Sequence, residues 1–221
     1  RPELKEAVAR GCCLTSEMEL FFRICPAHII GITGSDGKST TTTVIARMLE
    51  RSGQRVFLGG NIGRPLLPEA ESMTADDYAV VELSSFQLHT LPLSPEIAVV
   101  TNISPNHLDY HRDMAEYIEA KTHILRYAGC RRAVLNAANP GSRSMAAVLP
   151  AGCEALFFCD PDRRGVYEQD GEIYLGSEPI MKANEILLPG HHNTENYMAA
   201  FGALSGIVPP QIMRTVAMEF G

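Results

Sequence analysis

The first chemistry to look for lies in Thr33-Gly34-Ser35-Asp36-Gly37-Lys38-Ser39-Thr40, where glycines recur at positions 31, 34 and 37 and a Lys-Ser pair follows. An apolar run (Ile29, Ile30, Ile32) leads into it, and Val44-Ile45-Ala46-Arg47-Met48-Leu49-Glu50 leads out as a helix-compatible segment. Backbone N–H groups of such a turn converge on an anion, and the helix N-terminus adds unpaired donors and partial positive charge. Lys38 would then reach the β- and γ-phosphates of a nucleotide, and the Ser39 hydroxyl would hold Mg²⁺. The strict pattern GxxxxGK[ST] requires glycine at position 32, which is Ile32, so the loop is a variant. The alternative is a Gly/Ser turn with a solvated lysine.

Other polar residues follow the apolar runs. Glu82 closes Tyr78-Ala79-Val80-Val81. A carboxylate at the end of a buried strand is costly unless it is paired or holds a metal. Mg²⁺ beside a triphosphate takes such a carboxylate, and a salt-bridged strand end is the other reading. His107-Leu108-Asp109-Tyr110-His111 lacks a recognised zinc spacing and has no cysteine nearby, so by spacing it reads as surface loop. Lys121, on the helix expected over residues 113–127, reads by itself as a solvated lysine.

The elements that must position these groups alternate. Val56-Phe57-Leu58, Tyr78 to Val81, Ile97 to Val100, Ala133-Val134-Leu135 and Ala155 to Phe158 are short, near-continuously apolar runs, as expected of strands buried on both faces of a parallel sheet. Helix-length spacers between them argue an α/β fold: a P-loop-like central parallel sheet flanked by helices. Ligands bind beyond the carboxyl ends of such strands, where the glycine loop, Gly60-Asn61, Glu82-Leu83-Ser84-Ser85-Phe86-Gln87 and the loop after Val100 all fall. From Val166 the period changes. Two alternating runs around Asp170-Gly171 signal a hairpin with a type I′ turn, so a small antiparallel β-sheet is expected beside the parallel one. Ser16 and Glu19 are spaced as a capping box, and residues 193–220 read as two helices separated at Pro209-Pro210.

The chain has 221 residues, 45% apolar and 20% charged, an ordinary globular composition. A net charge of -7 argues against a nucleic-acid surface. No apolar run approaches membrane-spanning length and no signal peptide is visible, so a cytoplasmic protein with no membrane or nucleic-acid partner is expected; a monomer is a separate expectation that the residues do not decide. Six cysteines without a CxxC pair read as reduced and structural. The first residue is Arg1, and a fragment of a longer chain is expected.

The glycine loop, Gly60-Asn61-Ile62-Gly63, Glu82 to Leu88, Asn102 to Asp109 and Gly190-His191-His192-Asn193-Thr194-Glu195-Asn196 together resemble the Mur ligase family, in that order along the chain. The family's own variant ATP loop accounts for the failed strict pattern. Ser84-Ser85-Phe86-Gln87-Leu88 is the discriminating element: it is similar to that of family members that add D-glutamate to UDP-N-acetylmuramoyl-L-alanine. The resemblance implies a three-domain enzyme. Residues 1–27 would be the lead-in from a UDP-binding domain, residues 28–221 the central ATP-binding domain, and the amino-acid-binding domain would lie outside the chain. It implies a cradle for ATP from Gly34, Ser35, Asp36, Gly37, Lys38, Ser39 and Thr40. One Mg²⁺ would sit on Ser39 and Glu82, and a second on His107 and a CO₂-derived carbamate of Lys121. Asn193 and Asn196 would contact the nucleotide, and Asn61, Ser84, Gln87 and His107 the muramoyl substrate. Lys38, Glu82, His107 and Lys121 would carry catalysis through an acyl phosphate.

Two departures stand out. Asp36 occupies a position where many members have asparagine, a second acid that could lean on Lys38 or Mg²⁺. Asn136-Ala137-Ala138-Asn139 lacks the acidic residue usual after the first asparagine. The competing readings are a self-sufficient P-loop NTPase, and a nucleotide-binding module without turnover. Amide formation is not expected of these residues alone.

Overall fold

The apolar runs of the sequence form one sheet of nine strands, in a computed structural model that describes residues 2–104 and 112–220. In chain order the elements are α1 (Pro2–Ala9), α2 (Glu17–Ile24), β1 (His28–Thr33), α3 (Lys38–Arg51), β2 (Val56–Gly60), β3 (Tyr78–Glu82), α4 (Ser85–His89) and β4 (Ile97–Val100). There follow α5 (Met114–Arg126), β5 (Arg132–Asn136), α6 (Pro140–Ser144), β6 (Glu154–Phe158), β7 (Val166–Gln169), β8 (Glu172–Leu175), β9 (Glu178–Lys182), α7 (His191–Leu204) and α8 (Pro210–Glu219).

The strand order is β2-β3-β1-β4-β5-β6-β7-β8-β9, parallel from β2 through β7 and antiparallel from β7 to β9. Alternate side chains feed two apolar layers. Ile30, Ile32, Val80 and Val99 pack with α3, α7 and α8. Ile29, Ala79, Val81 and Ala98 pack on the opposite face with residues of α2, α4 and α5. After β1 the chain leaves toward β2, and after β4 it leaves toward β5. The crevice between β1 and β4 is therefore the switch point where ligands of such sheets bind.

The expected antiparallel sheet is not separate. The β7–β8 hairpin turns on Asp170 (φ 54°) and Gly171 (φ 79°), as the turn chemistry requires. Its first strand also pairs in parallel with β6, through Phe158 and Val166, so the hairpin extends the large sheet. Ser16 caps α2 by accepting from the Glu19 N–H at 3.1 Å, but the Glu19 carboxylate goes to Arg23 and Thr15 instead of closing a box. The last two helices part at Ser205, earlier than expected. Gly206 (φ 75°) turns the chain there, while Pro210 opens α8, a position that needs no N–H.

Candidate active site

The glycine loop joins β1 to α3 across that crevice. Gly37 caps α3 in the left-handed region (φ 77°), and a Cβ there would strike the Asn196 carboxamide; a Cβ on Gly34 would strike the Thr101 hydroxyl. Both positions thus exclude side chains on backbone and steric grounds. The loop is tied to the segment after β4: the Asp36 N–H donates to Asn102 Oδ1 (3.0 Å), and Thr101 Oγ1 donates to the Asp36 carbonyl (2.6 Å). Ser35 Oγ donates to the Ser104 carbonyl (3.0 Å), with Tyr117 Oη also 3.0 Å from that hydroxyl.

Glu82 is 1% exposed at the end of β3. Its carboxylate accepts from Ser39 Oγ (2.7 Å) and Asn61 Nδ2 (2.9 Å), and it has no salt-bridge partner among the described residues. A buried carboxylate held only by neutral donors, beside a serine hydroxyl, suits a hard divalent cation. No cluster of three or more His, Cys, Asp or Glu able to hold a metal occurs among the described residues, so the protein oxygens at this point come from Ser39 and Glu82. Lys38 Nζ donates to the Ser35 carbonyl at 2.8 Å.

Lys121 overturns its local reading. It is 2% exposed, not solvated. Its Nζ donates to Thr33 Oγ1 (3.1 Å) and the Gly34 carbonyl (2.9 Å), 4.9 Å from the centre of the Tyr117 ring. Burial, and then the nearby Lys38 cation, push its pKa down to about 7, against an opposing pull from Glu82. Near neutral pH a sizeable fraction of this amine is uncharged, and so nucleophilic.

A cavity of about 140 Å³ gathers Gly34, Lys38, Asn61, Ser84 and Lys121, with Ser85, Phe86 and Tyr117 completing its wall. Ser84 and Gln87 form a reciprocal capping box at the start of α4: the Ser84 N–H and hydroxyl donate to Gln87 Oε1, and the Gln87 N–H donates back. From the other side α7 brings Asn196, which accepts from Thr41 Oγ1 (3.3 Å) and donates to Asn193 Oδ1 (3.2 Å). Thr40 lies half-buried in the first turn of α3. Asp36 does not lean on Lys38; its carboxylate accepts from Ser104 Oγ at 3.4 Å. Beside Asn136, where the resemblance leads one to expect a following acid, Glu195 of α7 supplies a carboxylate 3.5 Å from Asn136 Nδ2. His107 lies outside the described residues.

A family model described as the Mur ligase middle domain matches residues 32–204. The chain belongs to the Mur ligase family. It is 44% identical over 220 residues to the UDP-N-acetylmuramoylalanine–D-glutamate ligase of Clostridium kluyveri, and 45% identical over 226 residues to that of Acetivibrio thermocellus. Each match covers 99% of this chain and 48% of the relative, so the chain spans about half the length of these curated relatives. A solved UDP-N-acetylmuramoyl-L-alanyl-D-glutamate–2,6-diaminopimelate ligase shares the fold, with a TM-score of 0.78 at 23% identity over 93% of this chain and 49% of that one.

Within this Mur ligase domain several residues around the site had no individual role assigned from the sequence. Thr33, Thr101 and Asn102 act through contacts across the switch point, which local spacing does not reveal. Tyr117 sits one helical turn before Lys121 on α5 and shares its face, so the spacing alone could have nominated it.

Proposed function

We propose that the whole protein forms the amide between D-glutamate and the alanyl carboxylate of UDP-N-acetylmuramoyl-L-alanine, driven by ATP, and that residues 28–221 supply its ATP and Mg²⁺ site. The observation that carries this reading is the single cavity uniting Gly34, Lys38, Asn61, Ser84 and Lys121, with the Ser39–Glu82 pair beside it. The likeness to D-glutamate ligases across 99% of the chain supports the choice of amino acid. The reaction would be a step of peptidoglycan precursor synthesis in the cytoplasm, serving cell shape and division, and the protein a monomer. Residues 1–27 would lead in from a UDP-binding domain, with the amino-acid-binding domain following.

Loop N–H groups from Gly34 to Thr40 would hold the triphosphate. Lys38 would turn from the Ser35 carbonyl to phosphate oxygens, and Asn193 and Asn196 would contact the nucleotide. Ser39 and Glu82 would hold one Mg²⁺, and His107 with a carbamate formed from the neutral Lys121 amine and CO₂ a second. The ions supply charge neutralisation for phosphoryl transfer. Asn61, Ser84, Gln87 and His107 would orient the alanyl carboxylate. The γ-phosphoryl group passes to that carboxylate, giving an acyl phosphate and ADP. The D-glutamate amine then attacks the carbonyl, inorganic phosphate leaves and the amine loses a proton.

Calorimetric titration of MgATP into the chain, beside Lys38→Ala, tests the cradle. Saturable binding that disappears in the variant is the expected result. Equal binding in both would overturn the placement of the nucleotide. ATP hydrolysis by the chain without either acceptor would favour the self-sufficient NTPase reading.

A further inference from the structure

All six cysteines are free thiols, but two of them meet. Cys130 Sγ and Cys153 Sγ lie 3.6 Å apart, although 23 positions separate them in the chain. The contact follows from the sheet. Arg132 pairs with Glu154 at the start of the β5–β6 ladder, and each cysteine sits one or two residues before its strand. Both backbones are anchored, Cys130 N–H to the Tyr127 carbonyl (3.0 Å) and Cys153 N–H to the Pro150 carbonyl (3.1 Å). The register therefore holds the two sulfurs together in every folded molecule. A disulfide needs about 2.05 Å, a closure of about 1.5 Å that side-chain rotation at the turn-flanked Cys153 can supply. No other pair of thiols is recorded in contact among the described residues: Cys25 meets Met73 Sδ instead, and Cys12 and Cys13 are exposed neighbours in sequence.

We propose that Cys130 and Cys153 are a reversible dithiol–disulfide site that cross-links the starts of β5 and β6 when a low-molecular-weight disulfide is present. The partly exposed Cys153 reacts first. Its thiolate attacks one sulfur of glutathione disulfide, forming a mixed disulfide and releasing one glutathione thiolate. Cys130, after losing its proton, attacks the Cys153 sulfur and releases the second glutathione. Two protein thiols are oxidised by two electrons, and one glutathione disulfide is reduced to two thiols. Burial pushes both cysteines up, Cys130 the further, so exchange is slow at neutral pH and faster in mild base.

The cross-link closes residues 130–153 into a ring that contains α6. Asn139 and Ser142 of that segment hold the main chain at Ile103 and Val100. The bond itself lies at the amino ends of the strands, opposite the cavity. It should therefore stiffen the domain without touching the nucleotide site.

The test is incubation of the chain with oxidised glutathione at pH 8.5, followed by digestion with trypsin and a glutamate-specific protease. Cleavage after Glu154 separates Cys153 from Cys159. The expected product links peptides 127–131 and 144–154. It should raise Tm by on the order of 5 °C, revert with dithiothreitol and leave MgATP affinity unchanged. Cys153→Ser should show no shift, whereas Cys12→Ser/Cys13→Ser should behave as the parent. Stable glutathionylation of Cys153 without the cross-link, pairing with any other cysteine, no reaction, or a Tm that falls on oxidation would each overturn the proposal.

Discussion

Lys121 shows how much one buried amine can carry. In the unfolded chain it titrates near 10.5, and in the fold near 7. Between those values the unfolded state binds a proton that the native state does not, so stability rises with pH across that window. Below about 7 both states are protonated and the burial cost is present in full; above about 10.5 it vanishes. Guanidinium denaturation of the metal-free protein at pH 6.5, 8 and 9.5 should show this rise, and Lys121→Met should flatten it. An unchanged slope would mean that the amine keeps its proton. Glu82→Gln makes a different demand. Its partners are the neutral donors Ser39 and Asn61, one of which can also accept, so the fold should survive. MgATP affinity should fall about tenfold or more, the scale of one charged contact, as read by calorimetry. Gly37→Ala combines a positive φ with a collision against Asn196. It should cost about 1–3 kcal/mol and abolish nucleotide binding.

At the scale of elements, local chemistry decides what can be foreseen. The β7–β8 hairpin was legible because Asp170 and Gly171 can adopt positive φ and their neighbours alternate. Gly171 has open space around its would-be Cβ. Gly171→Ala should therefore cost only the backbone term, about 1 kcal/mol, and leave MgATP binding intact. Gln87 differs, since it caps a helix of five residues that also lines the cavity through Ser85 and Phe86. Gln87→Ala should lower stability by about 0.5–2 kcal/mol, whereas a change within experimental error would show that α4 is held by packing alone. The strands were legible because burial on both faces leaves near-continuous apolar runs. The burial of Lys121 was not, because its partners Thr33 and Gly34 stand 88 and 87 positions away. The Cys130–Cys153 contact was hidden for the same reason: register across β5 and β6 makes it, and cysteine spacing carries no trace of register.

At the scale of the molecule, the sheet separates its tasks by end and by side. Polar chemistry collects at the carboxyl ends of β1, β2, β3 and β4, and the thiol pair at the amino ends of β5 and β6. The seven strands from β2 to β7 share parallel ladders of four or five residue pairs, except at the last junction, where β6 meets β7 through Phe158 and Val166 alone. The antiparallel strands beyond it rest on α7 and α8 through Val166, Ile173, Ile180 and Met181. Such a seam makes β7, β8 and β9 a unit able to open by itself, below the free energy of global unfolding. Amide hydrogens at residues 167–182 should exchange with deuterium together, and sooner than those of β1, β3 and β4. Equal protection throughout would mean that the seam is no weaker than the ladders it joins. The nucleotide edge would then stay assembled while the far third of the sheet breathes, a division of rigidity set by a single rung.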